Sequence, residues 1–242
     1  MPPISIIIPT LNEEKLLDRM LAQFTPALCA AHGLEVIVSD GGSTDSTQEI
    51  ARRHCCVLVE NTSGEKQTIS LGRNLGARHA RGEVLVFLNA DTLIRDIDHF
   101  FRRLKEELQE GSAVALTCSV GVYPEEKRLS DALFHGFYNW LFAMMNVVGM
   151  GMGRGECHVI PRVVFERVNG YSVSIAAGED YDMFRRLKDI GRIRFLKDIM
   201  VYESPRRYRR YGYIYVSASW FVNFLSVFLL RRSILDEWKP VR

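Results

Sequence analysis

Residues 82–92 constrain the fold more than any other segment, because an apolar run here ends abruptly in a carboxylate. The five apolar side chains of Val84–Leu88 predict a strand buried on both faces, and such strands belong to parallel sheets covered by helices. Asn89 and Asp91 follow at the carboxyl end of that strand, where open α/β sheets bind ligands. An acid in this place suits a divalent cation that accompanies a diphosphate. Taken alone, Asp91 is explained equally well as a turn former.

Composition is that of an ordinary globular protein. The chain has 242 residues, of which 47% are apolar and 25% charged, and its formal net charge is +2. This length fits one large α/β domain, and the small charge gives no argument for a nucleic-acid partner. The N-terminus shows no basic region or cleavage site, so we expect no signal peptide and a cytoplasmic location. Five cysteines without a Cys-x-x-Cys pair are expected to be buried thiols: Cys29, Cys55, Cys56, Cys118 and Cys157.

Strand and helix patterns alternate through the first half of the chain. Apolar runs predict strands at residues 4–8, 35–39, 57–59 and 84–88. The stretches between them predict helices at 13–28, 45–54 and 68–80. Strands separated by helices of this length imply parallel βαβ units and a doubly wound sheet.

The second half is predicted to contain helices at 98–109, 129–148, 162–168 and 178–187 and strands at 113–119 and 157–161. His158, in the last of these strands, is interpreted as a structural histidine. Apolar residues recur at helical spacing in the second helix, and we expect this stripe to lie in the core. Its members are Leu129, Leu133, Phe137, Trp140, Leu141, Met144, Met145 and Val148.

Four short polar loops follow apolar runs or begin a helix, at residues 9–13, 40–45, 89–91 and 178–180. In a parallel sheet the first three must meet at one edge, which predicts a ligand site there. Gly41 and Gly42 would let the backbone approach a ligand closely, and Asp40 could accept hydrogen bonds from a nucleobase imide or a ribose hydroxyl. A turn with a helix cap explains the same loop equally well.

With these loops in place, the chain resembles the inverting, GT-A-fold glycosyltransferases of family 2. The resemblance covers about the first 200 positions and rests on five ordered motifs, which together are far more specific than any one of them. They are SIIIPTLNE (5–13), VSDGGSTD (38–45), GRNLGA (72–77), GEVLVFLNAD (82–91) and GED (178–180).

The resemblance implies an α/β, Rossmann-like nucleotide-diphospho-sugar transferase domain over residues 1–203, with a mostly parallel sheet flanked by helices. It implies an enzyme that moves a sugar, with inversion, from a nucleotide-sugar donor to an acceptor hydroxyl or lipid phosphate. Asp40 favours uridine as the base of the donor. The residues expected to hold the donor are Pro9, Thr10, Glu13, Asp40, Gly41, Gly42, Arg73, Asn89 and Ala90.

By the same resemblance, Asp91 is the metal-contacting acid of the family's D-x-D element, with Mg²⁺ or Mn²⁺ as the cofactor. The chain departs from that element at its first position, where Asn89 offers a neutral amide oxygen. Fewer anionic ligands lower the affinity for a hard cation, so weaker metal binding is expected.

The resemblance also makes Asp180 the base that takes the proton of the acceptor hydroxyl, with Glu179 as the second candidate. Considered without the other motifs, both acids are better explained as favouring the positive end of the helix that they begin. The basic segment 206–211 has two explanations, which are contact with phosphates or acidic lipid and a solvated surface loop.

The tail, residues 204–242, is predicted to combine this basic segment with an apolar helix over Tyr213–Leu230 that arginines flank at both ends. Ser219, Asn223 and Ser226 fall on one narrow face, opposite a broad apolar face. Peripheral contact with the inner face of the membrane is favoured over a buried or homodimer-forming helix, and a true membrane span is the third alternative. Membrane contact would suit a saccharide acceptor linked to a polyprenyl or other lipid.

Two other functions fit parts of the sequence. A nucleotide-sugar-binding or scaffold protein of the same fold without turnover is supported by Asn89 and opposed by Asp91, Glu179 and Asp180. A dinucleotide-dependent oxidoreductase would need Gly-x-Gly-x-x-Gly after the first strand, where this chain has PTLNE at residues 9–13.

Overall fold

The structure is a computed structural model that describes residues 3–54, 56–62, 67–111, 113–230 and 241. Its strands are β1 (Ile4–Thr10), β2 (Leu34–Asp40), β3 (Val57–Glu60), β4 (Val84–Leu88), β5 (Leu93–Ile94), β6 (Ala115–Val122), β7 (Cys157–Pro161) and β8 (Ile193–Glu203). These eight strands form one sheet in the order β3-β2-β1-β4-β7-β6-β8-β5.

The helices are α1 (Glu14–Leu21), α2 (Pro26–His32), α3 (Thr47–Arg53), α4 (Ile69–His79), α5 (Ile97–Gln109), α6 (Leu129–Val147), α7 (Arg162–Arg167), α8 (Glu179–Lys188), α9 (Arg206–Tyr211) and α10 (Tyr213–Leu230), with a 3₁₀ turn at Pro124–Glu126. The described residues therefore confirm the predicted α/β fold with a mostly parallel sheet between helices.

Strands β1 to β4 form the parallel part of the sheet, since β1 pairs in parallel with both β2 and β4, and β2 with β3. Alternate residues of a strand face opposite sides. Val86 therefore joins the cluster that contains Phe100 of α5, and Phe87 joins the cluster that contains Phe184 of α8. Both faces of β4 are covered, as its continuous apolar run predicts.

The second part of the sheet brings further chain segments to the same edge. Strand β7 runs antiparallel to β4 with Cys157 opposite Leu88, so the residues just before β7 lie beside those just after β4. Strand β8, which the sequence did not predict, pairs with β6 in parallel and ends at Glu203, opposite Val122. The edge that carries Asp91 thus also carries Glu156 and Glu203.

Two predicted elements are wrong in detail. The helix predicted at 13–28 is two helices, because Pro26 begins α2 and Thr25 caps it by accepting a hydrogen bond from the Leu28 N–H at 3.2 Å. The stripe of α6 that was expected in the core is largely exposed, with 78% of Leu129, 68% of Leu133 and 60% of Trp140 accessible. Phe137, Met144 and Val148 are exposed as well.

The inward side of α6 carries polar residues in its first half, where it meets charged partners, and Phe142 and Ala143 in its second half. Asp131 accepts hydrogen bonds from Arg209 at 2.6 and 3.0 Å, and His135 lies 3.0 Å from Arg154. Helical spacing shows which residues share a face of a helix, but not which face packs against the protein. The long-range pairs of Asp131 and His135 therefore place inward a face that was predicted to point outward.

Helix α10 has the predicted bounds and, like α6, buries polar side chains and exposes apolar ones. Asn223 and Ser226 of its polar face are buried, while Phe221 and Phe228 are exposed. No helix among the described residues is long and apolar enough to cross a membrane. The arginines predicted to flank its far end, Arg231 and Arg232, lie outside the described residues, as does Cys55. Of the other cysteines, Cys118 and Cys157 are buried and Cys29 and Cys56 are half-buried.

Candidate active site

A cavity of about 870 Å³ opens at the carboxyl edge of the sheet. Nine of the predicted site residues line it, namely Pro9, Thr10, Glu13, Arg73, Asn89, Ala90, Asp91, Glu179 and Asp180. Asp40, Gly41 and Gly42 are not among the lining residues. The loops after β1 and β4 and the start of α8 therefore meet at one site, although they lie as far apart in the sequence as residues 9 and 180.

Asp40 shapes the loop after β2. Its buried carboxylate accepts hydrogen bonds from Thr10 Oγ1 at 3.1 Å, from the Ser43 N–H at 2.9 Å and from Gln48 Nε2 at 2.8 Å. Through the first of these bonds it orients Thr10, which does line the cavity. Contact of Asp40 and of the two following glycines with a donor stays a prediction.

Arg73 joins the loop after β4 to the start of α8. This side chain is 1% exposed, and its guanidinium donates to Glu179 Oε1 at 3.0 Å, to Asn89 Oδ1 at 3.1 Å and to the Gly155 carbonyl at 2.7 Å. A buried arginine needs such acceptors. The amide oxygen of Asn89 is therefore a partner of Arg73, which accounts for a neutral hydrogen-bond acceptor at this position.

Asp91 lies in a region of negative charge. Burial, together with Glu13 and Glu156, raises the pKa of Asp91 to about 6, although Arg206 acts in the opposite direction. The Nη2 atom of Arg206 lies 3.6 Å from Asp91 Oδ2. The Tyr123 hydroxyl donates a hydrogen bond to the backbone carbonyl of Asp91 and fixes the turn.

These residues fit a divalent cation that arrives with a diphosphate. Among the described residues, no group of three or more His, Cys, Asp or Glu side chains is arranged to hold a metal ion. Mg²⁺ is commonly bound through one or two carboxylates, with substrate phosphates and water as its other ligands. Asp91 supplies one carboxylate, and its pKa is raised mainly by burial and further by Glu13 and Glu156, a cost to the ionised form that a cation would relieve.

Asp180 and Glu179 begin α8 and differ in their surroundings. Glu179 is 7% exposed and forms an ion pair with Arg73. Asp180 accepts a hydrogen bond from the Tyr181 N–H at 2.9 Å, and burial and the neighbouring Glu179 raise the pKa of Asp180 to about 8. Asp180 thus holds a proton more tightly than an ordinary aspartate, whereas the Glu179 carboxylate is paired with Arg73.

A buried charged cluster on the α6 side of the cavity was not predicted. Arg154 donates to Glu203 at 2.7 Å and to Glu156 at 3.3 Å. Burial, with Glu156, raises the pKa of Glu203 well above its usual range. Burial and the adjacent Arg154 lower the pKa of His135 to about 2. One signal was available for Glu156, which directly precedes the predicted strand β7, whereas Glu203 ends β8, a strand that was not predicted.

The basic segment 206–211 is helix α9 and joins the site. Arg206 contacts both carboxylate oxygens of Glu13, at 2.9 and 3.0 Å, and Arg206 and Arg207 line the cavity. Tyr208 is buried and donates to Glu203 at 2.7 Å. The alternative of a solvated loop is therefore wrong. His158 is fully buried beside Tyr171, at 2.7 Å from its hydroxyl, as a structural histidine.

Comparison with known proteins gives consistent matches. The sequence model of the family described as "Glycosyl transferase family 2" matches residues 5–167. The chain is 28% identical to the succinoglycan biosynthesis protein ExoA of Rhizobium meliloti (strain 1021), over 77% of this chain and 58% of that protein.

A shorter match is to a protein of Methanococcus voltae named dolichyl N-acetyl-alpha-D-glucosaminyl phosphate 3-beta-D-2,3-diacetamido-2,3-dideoxy-beta-D-glucuronosyltransferase. It is 31% identical over 43% of this chain and 36% of that protein. The chain spans 21% to 58% of the length of the curated relatives that it matches.

Among solved structures, the mannosyltransferase PcManGT from Pyrobaculum calidifontis, in complex with GDP-Man and Mn²⁺, has a TM-score of 0.72 and 25% identity. The match covers 99% of this chain and 66% of that one.

Proposed function

The chain belongs to glycosyl transferase family 2, and from that premise we propose that it moves a sugar from a nucleoside diphosphate to an acceptor hydroxyl or lipid phosphate, with inversion. The observation that carries this proposal is the meeting of Asp91 and Asp180 in one cavity that four arginines also line. The first acid would hold the donor through a metal, and the second would act on the acceptor.

On the donor side, Asp91 would hold Mg²⁺ or Mn²⁺, which would stabilise the negative charge of the departing diphosphate. Thr10 and Arg206 line the cavity beside it and are available to the nucleotide and its phosphates. Asp40 favours a uridine donor, while the solved neighbour from Pyrobaculum calidifontis carries GDP-Man. Both nucleotides therefore belong in the first test.

On the acceptor side, Asp180 would take the proton of the attacking hydroxyl. The acceptor oxygen then forms a bond to the anomeric carbon as the bond from that carbon to the diphosphate oxygen breaks. One displacement of this kind inverts the anomeric centre. Glu179 would act indirectly, since its ion pair with Arg73 fixes the start of α8 beside Asp180.

The scaffold alternative rests on Asn89, and the structure weakens that support. Asn89 accepts a hydrogen bond from Arg73, and Asp91, Glu179 and Asp180 line the same cavity. No other described feature favours loss of turnover over catalysis.

The decisive experiment is a panel of UDP- and GDP-sugars with and without Mn²⁺, read by thermal shift and by nucleotide release. Asp91→Asn should lose the Mn²⁺-dependent shift. Asp180→Asn should keep that shift and lower transfer by about 10²–10⁴-fold, the usual contribution of a general base. Asp189→Asn, at the exposed far end of α8, is the matched control and should behave as wild type. Normal transfer by Asp180→Asn would refute its role.

We also propose that helices α6 and α10 contact the inner face of the membrane. Their exposed apolar side chains include Leu133, Trp140 and Phe221, and exposed basic residues lie near the start of each helix, at Lys127, Arg128 and Arg210. Such surfaces suit the boundary of an anionic bilayer and a lipid-linked acceptor. The dolichyl-containing name of the Methanococcus voltae relative supports the same class of acceptor.

The protein should sediment with vesicles that contain phosphatidylglycerol, and Leu133→Glu should reduce this binding. Lys105→Glu on α5 is a control for added negative charge. A homodimer would cover the same surface, and a dimer in detergent-free size exclusion together with no vesicle binding would favour it instead.

A further inference from the structure

Asn223 of α10 has no assigned role, although its amide is buried at the cavity. The residue is 2% exposed and lines the cavity. Neither its Nδ2 nor its Oδ1 atom has a hydrogen-bond partner among the described residues. A buried amide group without partners costs about 1–3 kcal/mol, so native proteins seldom keep one without a reason.

The position of Asn223 connects it with the proposed base. A Cβ atom added to Gly178 would lie 3.7 Å from the Asn223 Cβ, so the two backbones are close neighbours. Gly178 directly precedes Glu179 and Asp180 and adopts a left-handed conformation with φ of 84°. Asn223 therefore lies beside the turn that presents Asp180 to the cavity.

Trp220 lies one helical turn before Asn223 and lines the same cavity. The Arg154 guanidinium sits 5.3 Å from the centre of its ring, which fixes the orientation of the indole. Helix α10 thus contributes an amide and an aromatic side chain to the wall next to Asp180.

The chemistry of this wall selects the class of ligand. An amide group both donates and accepts hydrogen bonds, as a hydroxyl does, whereas a fully ionised phosphate only accepts them. Six acids and four arginines are present among the described lining residues, and the acids include Glu156 and Glu203. Arg154 already pairs with Glu203 and Arg73 with Glu179. With these two arginines already paired, an anionic acceptor would meet the negative charge of a bound diphosphate donor, and an uncharged acceptor would not.

We propose that Asn223 binds the hydroxyl groups of a neutral saccharide acceptor and places one of them beside Asp180. Its Oδ1 accepts from one hydroxyl of the acceptor, and its Nδ2 donates to another. The inference rests on the proposed glycosyl transfer and narrows it, because it names an uncharged sugar hydroxyl rather than a lipid phosphate as the nucleophile.

The test compares wild type with Asn223→Leu, Asn223→Ala and Ser226→Ala. Ser226 is buried on the same face of α10 but does not line the cavity, so it is the matched control. The acceptor probes are the methyl glycosides of glucose, galactose, mannose and N-acetylglucosamine, with farnesyl phosphate as the anionic probe. Acceptor KM, donor hydrolysis and Tm are measured for each protein.

We expect transfer to at least one methyl glycoside. Both Asn223 variants should raise its KM about 5- to 150-fold, as the loss of two hydrogen bonds predicts, with unchanged donor hydrolysis. The Tm of Asn223→Leu should not fall, because leucine fills the site without an unpaired amide. Ser226→Ala should leave KM unchanged. If leucine does not fit and Asn223→Leu fails to fold, the acceptor KM of Asn223→Ala decides the test.

An unchanged KM in a folded Asn223 variant would overturn the inference. Transfer to farnesyl phosphate alone, or to none of the probes despite donor hydrolysis, would overturn it as well. An equal fall in hydrolysis and transfer would assign Asn223 to the donor instead. Absence of both activities in wild type with every donor would count against the proposed function itself.

Discussion

Helices α5 and α6 have opposite polarity. Helix α5 buries mainly apolar residues, Phe100, Phe101 and Leu104, and exposes charged ones, whereas α6 buries Asp131 and His135 as well as Phe142 and Ala143 and exposes leucine, phenylalanine and tryptophan. The first covers an apolar sheet face, and the second covers the charged cluster beside the cavity. The difference shows that the partner of a helix, and not its own pattern, decides which face is inward.

The largest effect expected from this contrast is in α5. Phe101→Ala removes a fully buried ring from the core and should lower the free energy of unfolding by about 3–5 kcal/mol. Urea denaturation measures this loss. A loss below about 1 kcal/mol would mean that α5 does not support the core as described.

A smaller effect is expected from the polar side of α6. Asp131 is buried and hydrogen-bonded to Arg209, so Asp131→Asn should cost about 1.5–3 kcal/mol, the range for hydrogen bonds to charged groups. Asp98→Asn, in the first turn of α5, replaces an exposed acid and serves as the control. Equal changes in the two variants would remove the distinction between the helices.

The pH dependence of stability tests the same side of α6. Burial lowers the pKa of His135 to about 2, while the unfolded imidazole titrates near 6.5. As the pH falls below about 6.5, the unfolded chain takes up a proton that the folded protein does not, so stability falls.

Asp91 and Asp180 act in the opposite direction, because their raised pKa values stabilise the folded protein as the pH falls. The measurement is therefore the difference between wild type and His135→Gln. Wild type should lose about 1.4 kcal/mol more than the variant between pH 7.5 and 5.5. Parallel pH profiles would show that His135 takes up its proton equally in the folded and unfolded states, against the lowered pKa.

The smallest effect is expected on the outer side of α6. Phe137 is 53% exposed, and Phe137→Ser should change the stability of the detergent-free protein by no more than about 0.5 kcal/mol. The measurement is the urea midpoint, compared directly with that of Phe101→Ala. A large loss would place Phe137 in an interface that α6 forms with a second subunit.

The parts of the molecule that local pattern determines could be predicted from the sequence. Strand β4 and the acid at its end follow from one apolar run, and the family motifs identified nine residues that line the cavity. Strand β8 was missed because charged residues, among them Arg194 and Lys197, interrupt its apolar residues without a regular alternation. The pairing of Arg154 with Glu203 joins residues 49 positions apart and has no local signature.

Arg73 donates hydrogen bonds to both Asn89 and Glu179, so these three residues should be exchanged together when this chain is recombined with a relative. A crossover between residues 91 and 178 would separate two partners of one guanidinium. An incoming segment with aspartate at position 89 would place a second carboxylate on Arg73, and one without the arginine would leave Glu179 buried and unpaired. Chimeras should therefore inherit the three residues together.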